Sequence, residues 1–301
     1  MMAITETQVK INPFKVQLDS EESDKKLIQE VLTGSKNSLT KLVERHQPFI
    51  YNFAWKLTGN SSDAEDLTQD ALIKIVSNLK TFKQESSFQT WAYRIVKNHF
   101  LNEQTKPSNV FASSFEELGV LLDKAPDTNL TEDEKLIQAE TIREVRLQCL
   151  SGMLLCLTKE QRMIYIIGDV FGADHNVGSD IMEISKDNYR MKLSKARKDL
   201  YSFMQNKCGL VNKSNPCRCH KKVTYASEKG IIDAKNLLFN KKEYSTFREQ
   251  LEPDANFLVD DSEIKSAELH QNHSFKTHFD KKNFLVDILA SADWQTRLNL
   301  T

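Results

Sequence analysis

A chain of 301 residues is longer than one typical domain and points to two or three. Hydrophobic residues at 40% and charged residues at 28% suffice for ordinary packed cores, while only 9 glycines and 6 prolines argue against a turn-rich all-β fold and for long helices. A net charge of -1 excludes a globally basic nucleic-acid binder, and no apolar run approaches the roughly 20 residues a membrane span requires, so a cytoplasmic, all-α protein without membrane insertion is expected.

Residues 1–23 are polar and aperiodic and read as a flexible arm. From Asp24 the spacing turns helical: Leu27, Ile28, Val31 and Leu32 form one stripe, and Leu39, Leu42 and Val43 continue it after a break near Gly34. Pro48 suits the first turn of a new helix faced by Phe49, Phe53 and Leu57, which Gly59-Asn60 ends. Ser62 and Glu65 then have the spacing of a capping box, predicting a helix from Asp63 to about Leu79. Its apolar face includes Leu67, Leu72, Ile75 and Val76, and Asp66, Gln69, Asp70 and Lys74 share the exposed flank. A polar loop over residues 83–87 leads into a helix carrying Phe88, Trp91, Ala92, Ile95, Val96 and Phe100. Together these elements make one domain, residues 24–105.

Residues 106–135 are rich in Ser, Asn, Asp and Glu and read as a flexible linker with room for a short helix around Phe115 to Leu122. A second helical domain spans 136–206: apolar positions through Leu157, a run from Lys159 to Phe171 stopped at Gly172, a short segment Asn176 to Met182, and a helix from Lys186 to about Met204. That last pair has the layout of a helix-turn-helix. In its second helix Lys186, Arg190, Lys192, Lys195, Arg197 and Lys198 are opposed by Asp187 alone before Asp199. Such a helix can neutralise phosphates and reach base edges, although a solvated amphipathic face reads the same way.

The run Gly59-Asn60-Ser61-Ser62-Asp63-Ala64-Glu65-Asp66-Leu67-Thr68-Gln69-Asp70 resembles the polymerase-binding helix of region two in RNA polymerase sigma factors of the sigma-70 family, extracytoplasmic-function (ECF) type. Phe82 and the stretch Ser86 to Asn98 resemble the promoter-melting segment that follows it. Leu157 to Arg162, Asp169 to Gly172 and Leu193 to Leu200 resemble region four, with a departure: Gly178-Ser179 stands where the family has an Ile-Ala pair, and Glu183 where it has a turn glycine. The resemblance implies two helical domains that bind RNA polymerase core and promoter DNA, with an anti-sigma factor as a further partner. Asp66, Gln69 and Asp70 would dock on the polymerase. Trp91, Arg94, Lys97 and Asn98 would face the minus-ten element, with Trp91 also spaced like core. Lys186, Asn188, Arg190 and Met191 would lie near bases of the minus-thirty-five element, and Lys195 and Arg197 would hold phosphates or pack on the preceding helix. A sigma-like protein that sequesters polymerase without initiating is the alternative. No nucleophile-base pair, phosphate-cradling loop or paired-carboxylate site suggests an enzyme.

Residues 207–301 form an extension of unassigned role. It opens with Cys208, Cys217, Cys219 and His220, the number and kind of ligands that a structural zinc takes, in an unusual spacing; reduced surface thiols and a redox sensor are the other readings. No cofactor is otherwise required. A helix over Glu263 to His270, a histidine group (His270, His273, His278) and an apolar stretch Phe284 to Leu289 complete the chain.

Overall fold

The computed structural model describes residue 14 and residues 19–102, 112–238 and 284–286. In chain order the helices are α1 (Asp19–Leu32), α2 (Lys36–Thr58), α3 (Ser61–Ser77), α4 (Phe88–Asn102), α5 (Phe115–Lys124), α6 (Glu132–Ile137), α7 (Ala139–Leu155), α8 (Lys159–Tyr165), α9 (His175–Met182), α10 (Lys186–Lys207) and α11 (Val223–Glu228). Among the described residues β-structure is limited to an isolated bridge between Cys208 and Cys217. The expected helix over 263–270, the histidine group and most of the N-terminal arm lie outside the described residues; Phe284 and Leu285 are helical and buried.

The chain divides into two compact units. The first holds residues 19–102 together with 171–189. Here α2 is one continuous helix, where a break before Pro48 was expected. Proline removes one helical N–H, but Leu39, Leu42 and Val43 before it and Ile50, Phe53 and Leu57 after it all bury on the same core, so packing overrides the local preference. Ser35 caps its start and Gly59, at φ 79°, closes its end by donating 2.7 Å to the Trp55 carbonyl. The next helix starts two residues earlier than the Ser62–Glu65 box predicts. Asn60 leaves the glycine turn in an extended conformation, and its Oδ1 accepts from the Asp63 N–H at 2.9 Å, a cap that precludes the later one. Buried residues Leu67, Leu72, Ile75 and Val76 then seat α3 on α2.

Residues 171–189 carry α9, a tight turn and the start of α10. Phe171 packs on Phe53 and Tyr93 with ring centroids 5.6 and 6.1 Å apart, and α9 lies against α4. Glu183 holds the left-handed conformation (φ 55°, ψ 42°) that its turn position demands. Gly178 is needed as well: a Cβ there would sit 2.2 Å from Cζ of the fully buried Tyr189. Gly178→Ala should therefore destabilise the protein by about 1–3 kcal/mol through overpacking. Calorimetry should show an unfolding temperature lowered by several degrees, restored when Tyr189 is also cut back to leucine.

The second unit holds residues 112–170 and 190–238. Arg162, buried on α8, donates to the carbonyls of Leu155 and Leu157 at 2.9 and 3.1 Å and so caps the exit from α7. The expected linker is structured in its described part: it forms α5 and α6, and Asp127 pairs with Lys222 at 2.9 Å and Lys221 at 3.3 Å. Nor does the chain after α10 start a separate module. Val223, Ala226 and Ile232 share a core with Val145 of α7, so residues 208–232 fold back as part of this unit.

Candidate nucleic-acid interface

On α3, Asp66, Gln69 and Asp70 are all exposed, as the helical spacing requires with Leu67 and Ala71 turned to the core. Asp70 accepts from His99 Nε2 at 3.1 Å, and His99 Nδ1 lies 2.5 Å from Lys74 Nζ, so the flank ends in a small charged network shared with α4.

The loop before α4 exposes Lys83, Gln84 and Glu85, with Gln84 left-handed at φ 60°. Ser87 caps the helix, its Oγ accepting from the Thr90 N–H at 3.1 Å. Trp91 is half-buried, 5.3 Å from the Phe82 ring and 5.7 Å from that of Phe88, so it sits at the rim of an aromatic cluster with one part accessible. Asn98 is exposed. The two cations between them are engaged: Arg94 pairs with Asp180 of α9 at 2.7 Å, and Lys97, its side chain only 6% exposed, pairs with Glu183. Lys97, with Arg94 and Asn98 adding smaller contributions, holds the Glu183 carboxyl below the usual carboxylate range. Asp180 and Glu183 thus touch two residues expected to meet DNA. No sequence signal foretold this, since Lys97 and Glu183 stand 86 positions apart.

Along α10, Lys186, Arg190 and Met191 are exposed and Asn188 is half-buried. Met191, at 66%, is an apolar side chain in water, the kind of group that can meet a thymine methyl. Lys195 pairs with Asp199 at 3.0 Å in an exposed setting. Arg197 is braced instead, gripping the largely shielded Asp169 carboxylate with Nε at 2.8 Å and Nη2 at 2.5 Å. That grip ties Arg197 to the segment Ile166–Val170 that follows α8.

Cys208, Cys217 and Cys219 come together in the second unit, and Cys149 of α7 joins them around one cavity that His220 does not line. Burial pushes the Cys149 and Cys208 thiols up, the latter to about 11, and the neighbouring thiols reinforce both shifts. Among the described residues no three His, Cys, Asp or Glu groups are already arranged as a ligand shell.

The model of sigma-70 region 2 matches residues 42–108, a span that takes in most of α2 and all of α3 and α4. The ECF RNA polymerase sigma-E factor of Escherichia coli K12 is 24% identical over 192 residues, covering 61% of this chain and 95% of that protein. Residues 42–108 are a sigma-70 region 2, and the chain is similar to ECF sigma factors over 61% of its length. The ECF sigma factor SigW of Bacillus subtilis strain 168 is 34% identical over 74 residues, 25% of this chain and 40% of that protein. Among solved structures, CnrH in complex with the cytosolic domain of CnrY is similar at a TM-score of 0.43 and 16% identity, covering 61% of this chain and 97% of that one. The region-two match therefore falls on the elements carrying the acidic flank, the polar loop and Trp91. No helix among the described residues is long and apolar enough to cross a membrane.

Proposed function

We propose that the chain is a transcription initiation factor: it binds RNA polymerase core and directs it, in the cytoplasm, to particular promoters. The observation that carries this reading is the region-two match over residues 42–108, on helices that expose Asp66, Gln69 and Asp70 together on α3. That flank would dock on the polymerase. The half-buried Trp91 with the exposed residues Lys83, Gln84 and Glu85 meets what strand opening needs, a flat ring beside a polar segment where an extruded base can stack, and Arg94, Lys97 and Asn98 would hold the single strand. Lys186, Asn188, Arg190 and Met191 would read the upstream element in the major groove, with Lys195 on phosphates. An anti-sigma protein is the further partner we propose. The chemistry of RNA synthesis stays with the polymerase, so the chain acts as an adaptor and needs no cofactor for it.

A second reading has one observation in its favour. Asp180 and Glu183 occupy the cations Arg94 and Lys97, so this conformation withholds them from DNA. A protein locked in that state would bind polymerase and stay silent.

In vitro transcription separates the two. Purified protein added to core polymerase with a library of promoter fragments should yield discrete run-off transcripts absent with core alone. Retention of the core without any transcript would support the silent reading.

A further inference from the structure

Four of the five cysteines meet where the chain after α10 returns to α7. Cys149 projects from α7, Cys208 follows the end of α10, and Cys217 and Cys219 flank Arg218 on the returning loop; all four line a cavity of about 20 Å³, room for a single water-sized guest. The loop is built to bring them there. Cys208 and Cys217 sit side by side in a backbone bridge. Asn215 Nδ2 donates to the Gln205 and Cys208 carbonyls at 2.9 and 3.2 Å, and Arg218 donates to the carbonyls of Asn215, Cys217 and Lys213 at 2.5, 2.9 and 2.8 Å. Gly209 permits the close approach, since a Cβ there would lie 2.1 Å from the Cys217 carbonyl oxygen.

A second observation points to charge in the cavity. Arg146 lines it as well, and its Nε–H is shielded from solvent with no hydrogen-bond acceptor. A buried donor of this kind needs a partner, and four neutral thiols are poor acceptors. Thiolates are good ones.

We propose that Cys149, Cys208, Cys217 and Cys219 form a structural zinc site that fastens the segment after α10 to α7. Binding exchanges four S–H protons for one Zn²⁺, leaving a tetrahedral tetrathiolate centre of net charge -2 and releasing the protons to solvent. Arg146 offsets part of that charge and gains its missing acceptor, while Lys222, close enough to Cys217 to favour its thiolate, offsets more. The four cysteines line one cavity, yet among the described residues no three His, Cys, Asp or Glu side chains stand close enough together to hold an ion, so uptake must draw the thiols inward. Cys219 also packs against the shared core of Val145, Val223, Ala226 and Ile232, so the ion and the apolar cluster hold the same segment. In place of His220, which the local sequence offers as the fourth ligand, the fourth thiol comes from Cys149 of α7.

Metal analysis of the full chain, purified without chelators, tests this. About one zinc per chain is expected, with four of the five thiols protected from a thiol reagent until a strong chelator is added. Cys149→Ser and Cys217→Ser should each remove most of the metal, and His220→Ala should retain it. Because a serine variant can fail to fold, the wild-type chain should also be refolded with Co²⁺. Intense visible absorption and a thiolate-to-cobalt charge-transfer band would support the tetrathiolate. Absence of metal with five freely reactive thiols would overturn the proposal, as would a Cys208–Cys217 disulfide in its place, or loss of metal in His220→Ala with retention in Cys149→Ser.

Discussion

Reversing the acidic flank of α3 with Asp66→Lys and Asp70→Lys together is expected to weaken the binding of core polymerase by at least about tenfold and to abolish run-off transcription. Both side chains are exposed one helical turn apart, so the double change replaces two negative charges by two positive ones on a surface proposed to meet a cationic partner. Like charges placed across an interface cost several kcal/mol, whereas an exposed pair such as Asp70–His99 contributes on the order of 1 kcal/mol or less to folding. Circular dichroism should accordingly show an unchanged fold and a melting temperature within a few degrees of the parent. A double variant that still drives transcription at the parental level would remove α3 from the polymerase contact.

The second large effect concerns the pairing between α9 and α4. Glu183→Gly is expected to strengthen binding of a single-stranded minus-ten oligonucleotide several-fold, read by fluorescence anisotropy at fixed salt. Two terms act together. Glycine adopts the left-handed conformation at this turn without the penalty of about 1–2 kcal/mol that a Cβ carries, so the turn itself survives. Lys97, however, loses the half-exposed carboxylate it meets while its own side chain stays buried, and a buried donor left without its partner destabilises that arrangement by about 1–3 kcal/mol. The equilibrium should move toward states in which Lys97 and Arg94 face solvent and nucleic acid. Glu183→Gln keeps the strained backbone and removes only the charge, so it should show the same direction with a less stable turn. Unchanged or weaker oligonucleotide binding in both variants would mean that the pairing does not compete with DNA.

Much of the first unit was legible from local signals, because the apolar stripes of α3 and α4 and the glycine stop at Gly59 are properties of consecutive residues. Errors arose where tertiary packing outweighed a local preference. Pro48 reads as a helix start, yet the buried faces on both sides carry α2 straight through it. Asn60 outcompeted Ser62 as a cap because the preceding glycine had already turned the chain into the extended conformation a cap needs. Exposure of Asp66, Gln69 and Asp70 follows from helical periodicity alone, but the engagement of Lys97 by Glu183 joins distant segments and leaves no periodic trace. The make-up of the cysteine cavity is equally hidden: Cys149 sits in an apolar helix and reads as an ordinary small hydrophobe, and only the fold brings it to Cys208, Cys217 and Cys219. The chain after Lys207 looked separate since its few apolar residues make a core only when Val145 is added to them.

The most direct test of the account is a titration of the fluorescently labelled, folded chain with RNA polymerase core lacking any other initiation factor. Saturable binding with a Kd on the order of 10⁻⁷ M or tighter, displaced by unlabelled chain and weakened by Asp66→Lys with Asp70→Lys, is the predicted result. No saturable binding at micromolar core, with the chain verified as folded, would contradict it.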